Sequence, residues 1–172
     1  MKIAVLGYSG AGKSTLAVQL GKLYGIEVLH LDAVQFEAGW KERGRKEAKQ
    51  IALEFLQKDN WIIDGNYTQF YQEERLKQAD RILLLEFNRW HCLFRVVKRY
   101  CQNRGRVRES MAEGCEEKLD REFISWVLFE GRTKPRRQRF IQIVEAYPQK
   151  TRVLKNNRQV KTFLKEEKIE KI

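Results

Sequence analysis

Met1-Lys2-Ile3-Ala4-Val5-Leu6-Gly7-Tyr8-Ser9-Gly10-Ala11-Gly12-Lys13-Ser14-Thr15 begins the chain, and this stretch decides the fold. Ile3-Ala4-Val5-Leu6 is an unbroken apolar run, the pattern of a strand buried on both faces. Gly7 to Ser14 then fits G-x-x-x-x-G-K-[ST] at every fixed position. Glycines let the backbone curl until successive N–H groups face an anion. The loop feeds a helix N-terminus, whose unpaired N–H groups and dipole favour negative charge. Lys13 adds a mobile positive charge for the β- and γ-phosphates, and the Ser14 hydroxyl is a hard oxygen for Mg²⁺. Leu16, Leu20 and Leu23 recur at helical spacing up to about residue 24, where Gly25 supplies a stop. Strand, loop and helix together form the context the motif requires. Gly7, Ser9, Gly10, Ala11, Gly12, Lys13, Ser14 and Thr15 are therefore expected to bind a nucleoside triphosphate.

Outward from this stretch, short apolar runs alternate with longer helical periods. Strands are expected at 26–31, 61–63, 81–85 and 152–154, and helices at about 44–57, 89–102, 117–129, 135–147 and 157–167. Strands alternating with helices predict an α/β chain with a parallel sheet covered on both faces. Pro135 and Pro148 are the only prolines, and no repeat or Gly/Ser linker interrupts the pattern. Residues 1–172 are accordingly read as one domain, a length that suffices to bury one core.

The totals exclude several classes. A chain that is 42% hydrophobic and 33% charged is an ordinary globular one rather than a disordered one. No apolar run reaches the 18 or so residues that span a bilayer, so no membrane segment is expected. Only four apolar residues follow Lys2 before Gly7, too few for a secretion signal. Cys92, Cys101 and Cys115 form no CxxC pair, and His30 and His91 are too scattered for a zinc site. A reducing cytoplasm is the expected compartment. The net charge of +11 lies wholly in residues 87–172, since residues 1–86 carry equal numbers of basic and acidic side chains. Such asymmetry predicts contact with a polyanion, either a nucleic acid or the phosphates of a nucleotide.

In an open α/β sheet, ligands sit beyond the carboxyl ends of the strands. Asp32, Asp64 and Glu86 stand at such ends, where a carboxylate can hold the hydration shell of Mg²⁺, bind a second substrate, or simply cap a turn. Two runs without acids, 95–108 and 132–139, hold eleven Lys and Arg residues around a Gly-containing loop. Arg95 and Arg99 share a helix face. With Arg136, they are the candidates to spread charge over a transferring phosphoryl group as the loop closes. Trp90, Phe94 and Val97 recur at helical spacing, as do Phe123, Trp126 and Val127, and both sets are read as core packing.

These residues resemble a family of small proteins called DNA topology modulation proteins, which are similar to adenylate kinase. The resemblance rests on the loop just quoted, on Leu29-His30-Leu31-Asp32, Gly39-Trp40, Trp61-Ile62-Ile63-Asp64-Gly65-Asn66-Tyr67 and Arg89-Trp90. Arg95 with Lys98-Arg99-Tyr100 and Met111-Ala112-Glu113-Gly114-Cys115 continue it over most of the chain. It implies a three-layer P-loop NTPase fold with a five-stranded parallel sheet in the order 2-3-1-4-5 and an Arg-rich lid over about 103–136. Asp64-Gly65 is similar to the aspartate–glycine step that helps hold Mg²⁺ in nucleoside monophosphate kinases. Arg95 and Arg99 resemble the arginines entering their lid, and Arg132, Arg136 and Arg137 those leaving it. Asn66-Tyr67-Thr68 stands where those kinases have a phenylalanine–proline–arginine run that grips the monophosphate. Asp32 resembles the substrate-binding acid of shikimate and gluconate kinases, which implies a hydroxylated acceptor.

The expectation is a phosphotransferase using ATP and Mg²⁺. Lys13, Arg95, Arg99 and Arg136 would be catalytic, Asp32, Trp40 and Asp64 would bind the acceptor, and Ser14 and Asp64 would serve the metal. The alternative is a nucleotide-dependent regulatory ATPase that binds DNA through its basic second half. No helix-turn-helix or zinc finger is visible, so such binding would ignore sequence.

Overall fold

The computed structural model describes residues 1–103, 111, 114, 115, 117 and 119–170. Five strands form a parallel sheet: β1 (Lys2–Gly7), β2 (Val28–His30), β5 (Trp61–Asp64), β6 (Arg81–Leu85) and β7 (Thr151–Leu154). Their spatial order is β2-β5-β1-β6-β7, which is second, third, first, fourth and fifth along the chain. All of β5 and the last four residues of β6 are buried, as are the last five of β1. Both faces of the sheet are therefore covered, which explains why these strands read as continuous apolar runs.

Helix α1 (Lys13–Tyr24) follows the glycine loop and packs Leu16, Ala17 and Leu20 against the sheet. No side chain caps its start, so its first N–H groups have no side-chain partner among the described residues. The second strand is shorter than expected. At Leu31 the chain turns into α2 (Leu31–Gln35), which puts Asp32 in a helical first turn rather than at a strand end.

Besides α2, a hairpin and a further helix depart from the expected pattern. The two-residue strands β3 (Phe36–Glu37) and β4 (Lys41–Glu42) form a hairpin turned by Ala38, Gly39 and Trp40. Helix α4 (Gln72–Gln78) lies between β5 and β6. Of the expected helices, α3 (Arg45–Leu56), α5 (Arg89–Asn103), α7 (Lys134–Ala146) and α8 (Asn157–Glu170) form, and α6 (Arg121–Leu128) starts later than anticipated. Asp120 fixes that start, its carboxylate accepting from the Phe123 N–H at 2.7 Å. Much of the first part of the lid expected over about 103–136, with Arg104, Arg106 and Arg108, lies outside the described residues.

The reading of Trp90, Phe94 and Val97 as core is overturned. Trp90 and Phe94 are 63% and 67% exposed, and Val97 is also exposed. Helix α5 buries Cys92 and Val96 instead. Among the described residues, no helix is long and apolar enough to cross a membrane.

Candidate functional site

The turn after β1 is built from backbone that other residues resist. Gly7 has φ +138°, and a Cβ there would lie 2.3 Å from the Leu85 carbonyl oxygen. Gly12 has φ +94°, and a Cβ there would lie 2.4 Å from a guanidinium nitrogen of Arg95. Arg95 thus rests directly on the loop, a position that its place on α5 did not reveal. Its Nη1 donates to Asn157 Oδ1 at 2.8 Å, and partial burial pulls its pKa down. Lys13 folds back so that Nζ donates to the Tyr8 carbonyl at 3.3 Å. The Asn66 amide holds the loop from the other side, accepting from the Gly7 N–H at 3.0 Å and donating to the Gly7 carbonyl at 2.7 Å.

The loop forms one wall of a cavity of about 1600 Å³. Ser9, Gly10, Gly12, Lys13, Ser14 and Thr15 line it, together with Asp32, Trp40, Arg95, Arg99 and Arg136. Gly7 and Ala11 lie beneath the loop, buried, and do not line it. Asp64 does not line it either. It is 4% exposed, with Oδ2 bonded to His30 Nδ1 at 2.9 Å, while Oδ1 is buried without a hydrogen-bond partner among the described residues.

Opposite the loop, the Tyr67 hydroxyl donates to Asp32 Oδ1 at 2.8 Å. Burial, reinforced by the Asp32 charge, raises the Tyr67 phenol well above its ordinary range, so it remains a donor. Trp40 has φ +65°, left-handed backbone that a bulky residue occupies only when its surroundings impose it. Its ring meets Phe36 edge-on at 5.5 Å between centroids.

Arg75 on α4 organises this wall from behind. It is 2% exposed and donates to the carbonyls of Phe70 (2.9 Å), Gly65 (3.3 Å) and Tyr67 (2.7 Å). Burial lowers its pKa to about 10, which leaves it charged at neutral pH. Sequence reasoning missed both Asn66 and Arg75. An asparagine after a glycine reads as a turn residue, and an arginine among Gln and Glu reads as helix surface.

On the side of α6 and α7, Trp126 Nε1 donates to the Ser9 hydroxyl at 3.1 Å, and Arg136 stacks on the Trp126 ring at 4.4 Å. Trp126 and Phe123 therefore face the cavity, while Val127 alone of that trio is buried in the core. Arg99 Nε pairs with the Glu117 carboxylate at 3.0 Å, so its charge already has an anionic neighbour. Arg132, likened above to an arginine leaving the lid, is buried. It donates to Val127 O, Phe87 O and Cys92 Sγ and covers the Tyr8 ring at 3.8 Å. Burial raises the Cys92 thiol pKa, against the opposing pull of Arg132.

Among solved structures, shikimate kinase from Bacteroides thetaiotaomicron matches 100% of this chain with 99% of its own, at 14% identity and a TM-score of 0.50. TT1252 from Thermus thermophilus matches at 17% identity and a TM-score of 0.55, covering 99% of this chain and 97% of its own. The fold is that of the P-loop NTPases. No protein-family model and no curated protein sequence matches the chain. At these identities the P-loop likeness concerns the fold alone.

Proposed function

We propose that this chain is a kinase-like enzyme that transfers the γ-phosphoryl group of ATP to a hydroxyl of a small acceptor. The observation that carries this reading is a shared cavity. Lys13, Ser14 and the uncapped start of α1 stand on one wall, and Asp32 and Trp40 stand on the other. The α1 N–H groups and Lys13 bind the triphosphate. Arg95, Arg99 and Arg136 answer the charge that develops on the phosphoryl oxygens. The acceptor oxygen bonds to the γ-phosphorus while the bond to the β–γ bridging oxygen breaks. ADP leaves with that electron pair, and the hydroxyl proton passes to the Asp32 carboxylate.

The residues present fit a magnesium ion. Ser14 offers a hydroxyl on the cavity wall, and the buried Asp64 Oδ1 without a partner suits a water of the hydration shell. The ion would neutralise phosphate charge. ADP release coupled to a panel of small acceptors tests the reading. Lys13→Ala should abolish acceptor-dependent turnover with the melting temperature unchanged, and retained turnover would sink the assignment.

A second reading has its own observation. Trp90 and Phe94 stand exposed on α5, which carries Arg89 and Lys98 and no acid, and aromatics among cations are platforms for nucleic-acid bases. A nucleotide-dependent DNA-binding protein of the DNA topology modulation kind would use that face. DNA binding that weakens by orders of magnitude from about 50 to 200 mM salt, with no acceptor-dependent turnover, would establish it.

A further inference from the structure

The described cations of the cavity, Lys13, Arg95, Lys98, Arg99, Arg136 and Arg139, all come from α1, α5 and α7. Besides Asp32, the described acids of the cavity are Glu117, Asp120, Glu122 and Glu130, from the segment around α6. The wall contributed by residues 32–72 carries a single charge, the negative one of Asp32. The two arginines nearest that wall in sequence are committed elsewhere. Arg75 is spent on three backbone carbonyls, and Arg43 on the Val34 carbonyl and Glu47.

Two hydrogen-bond acceptors on this wall stand open. Tyr67 occupies Asp32 Oδ1, so Oδ2 remains open among the described residues. Gln72 donates Nε2 to the Asn66 carbonyl at 3.2 Å, which fixes its amide and turns Oε1 into a further open acceptor. Phe36, Trp40 and Tyr67 add aromatic surface. A ligand complementary to this wall presents O–H or N–H donors and an apolar face. A phosphate or carboxylate there would meet Asp32 with no cation from the same wall to offset the repulsion.

We infer that the acceptor is a polyol or amino-polyol bearing no anionic group, held between Asp32, Gln72 and Trp40. This rests on the phosphotransferase reading above and narrows it. A nucleoside monophosphate and a sugar acid are thereby excluded. Ring faces of such a compound lie against the aromatics, and an ammonium group gains from both Asp32 and the Trp40 face.

The test uses one ring in three charge states: glucose, glucosamine and glucuronate, with AMP as a fourth probe. Binding is followed through the Trp40 indole N–H resonance of the isotopically labelled full chain saturated with ADP. Coupled ADP release is measured with the same four probes in separate samples that hold ATP and no added ADP. Glucosamine should bind most tightly and glucose next, with glucuronate and AMP weaker by about tenfold or more, the scale of one charge contact. Asp32→Asn should erase the preference for glucosamine over glucose while leaving the Trp40 resonance in place. Equal or tighter binding of glucuronate or AMP, or no perturbation of Trp40 by any of the four, overturns the inference. The inferred order of binding without ADP release keeps the ligand class and rejects the phosphotransferase.

Discussion

The side-chain amide of Asn66 brackets the peptide unit of Gly7, accepting from its N–H at 3.0 Å and donating to its carbonyl at 2.7 Å. Backbone pairing between β1 and β5 ends with the Gly65 N–H on the Val5 carbonyl, and Asn66 adds one more rung from a side chain. The first glycine of the phosphate loop is thus fixed by the residue that precedes Tyr67. Asn66→Ala removes two hydrogen bonds worth about 1 kcal/mol each. ATP affinity measured by calorimetry should fall about tenfold or more, with the far-ultraviolet spectrum unchanged. Unaltered affinity would show that the loop holds its shape without Asn66.

Arg75 fixes the segment that carries Asn66 and Tyr67. Arg75→Met keeps the side-chain length and leaves three carbonyls unsatisfied, at a cost of about 3 kcal/mol. The melting temperature should drop by about 10 °C, far more than for a surface arginine. A surface-like response would contradict the burial of its guanidinium.

Trp40 tests whether its strained backbone serves binding. Truncating a core tryptophan costs about 3–5 kcal/mol. Trp40→Gly relieves left-handed strain of about 1–2 kcal/mol, so its net cost should be well below that range. Acceptor binding should nevertheless weaken. Full-cost destabilisation in a melt would make Trp40 an ordinary packing residue.

Tyr67 sets an alkaline limit. The unfolded chain loses this phenolic proton near pH 10, whereas the folded chain keeps it to higher pH, because burial and Asp32 disfavour the phenolate. The unfolded state then binds fewer protons, so stability falls as pH rises above 10, by up to about 1.4 kcal/mol per pH unit for one such group. Urea titrations between pH 9 and pH 11, values at which only the unfolded phenol ionises, should show a shallower decline for Tyr67→Phe than for the parent chain. Identical slopes would place the Tyr67 hydroxyl in water.

The sheet and the phosphate loop were legible because their signals are local. A strand buried on both faces needs only continuous apolar residues, and the loop needs glycines at set spacings. The lost detail depends on long-range contact. The apolar arc of helix α5 is broad enough to hold two stripes, and packing buries Cys92 and Val96 rather than the Trp90 stripe that periodicity selects. The β3–β4 hairpin is too short to leave a periodic trace, and its turn places Trp40 in a conformation that no propensity would assign to tryptophan. Arg132 is buried against a carbonyl 45 residues away, and Arg75 against carbonyls of the preceding loop, which has no periodic trace. Asp32 was placed on the cavity from its position after the second strand, but its Tyr67 partner comes from 35 residues away.

Both edges of the sheet are short: β2 has three residues and β7 four, while the interior β5, β1 and β6 have four, six and five. An exposed edge is a template for strand addition by another chain, and its danger grows with the length of unpaired backbone it offers. Here each border presents barely one hydrogen-bonding repeat before the chain turns away. Self-association of this protein at high concentration should therefore proceed through the aromatic face of α5 rather than by intermolecular β-pairing. Aggregates formed under native conditions would keep their helical spectrum and fail to seed amyloid dye binding.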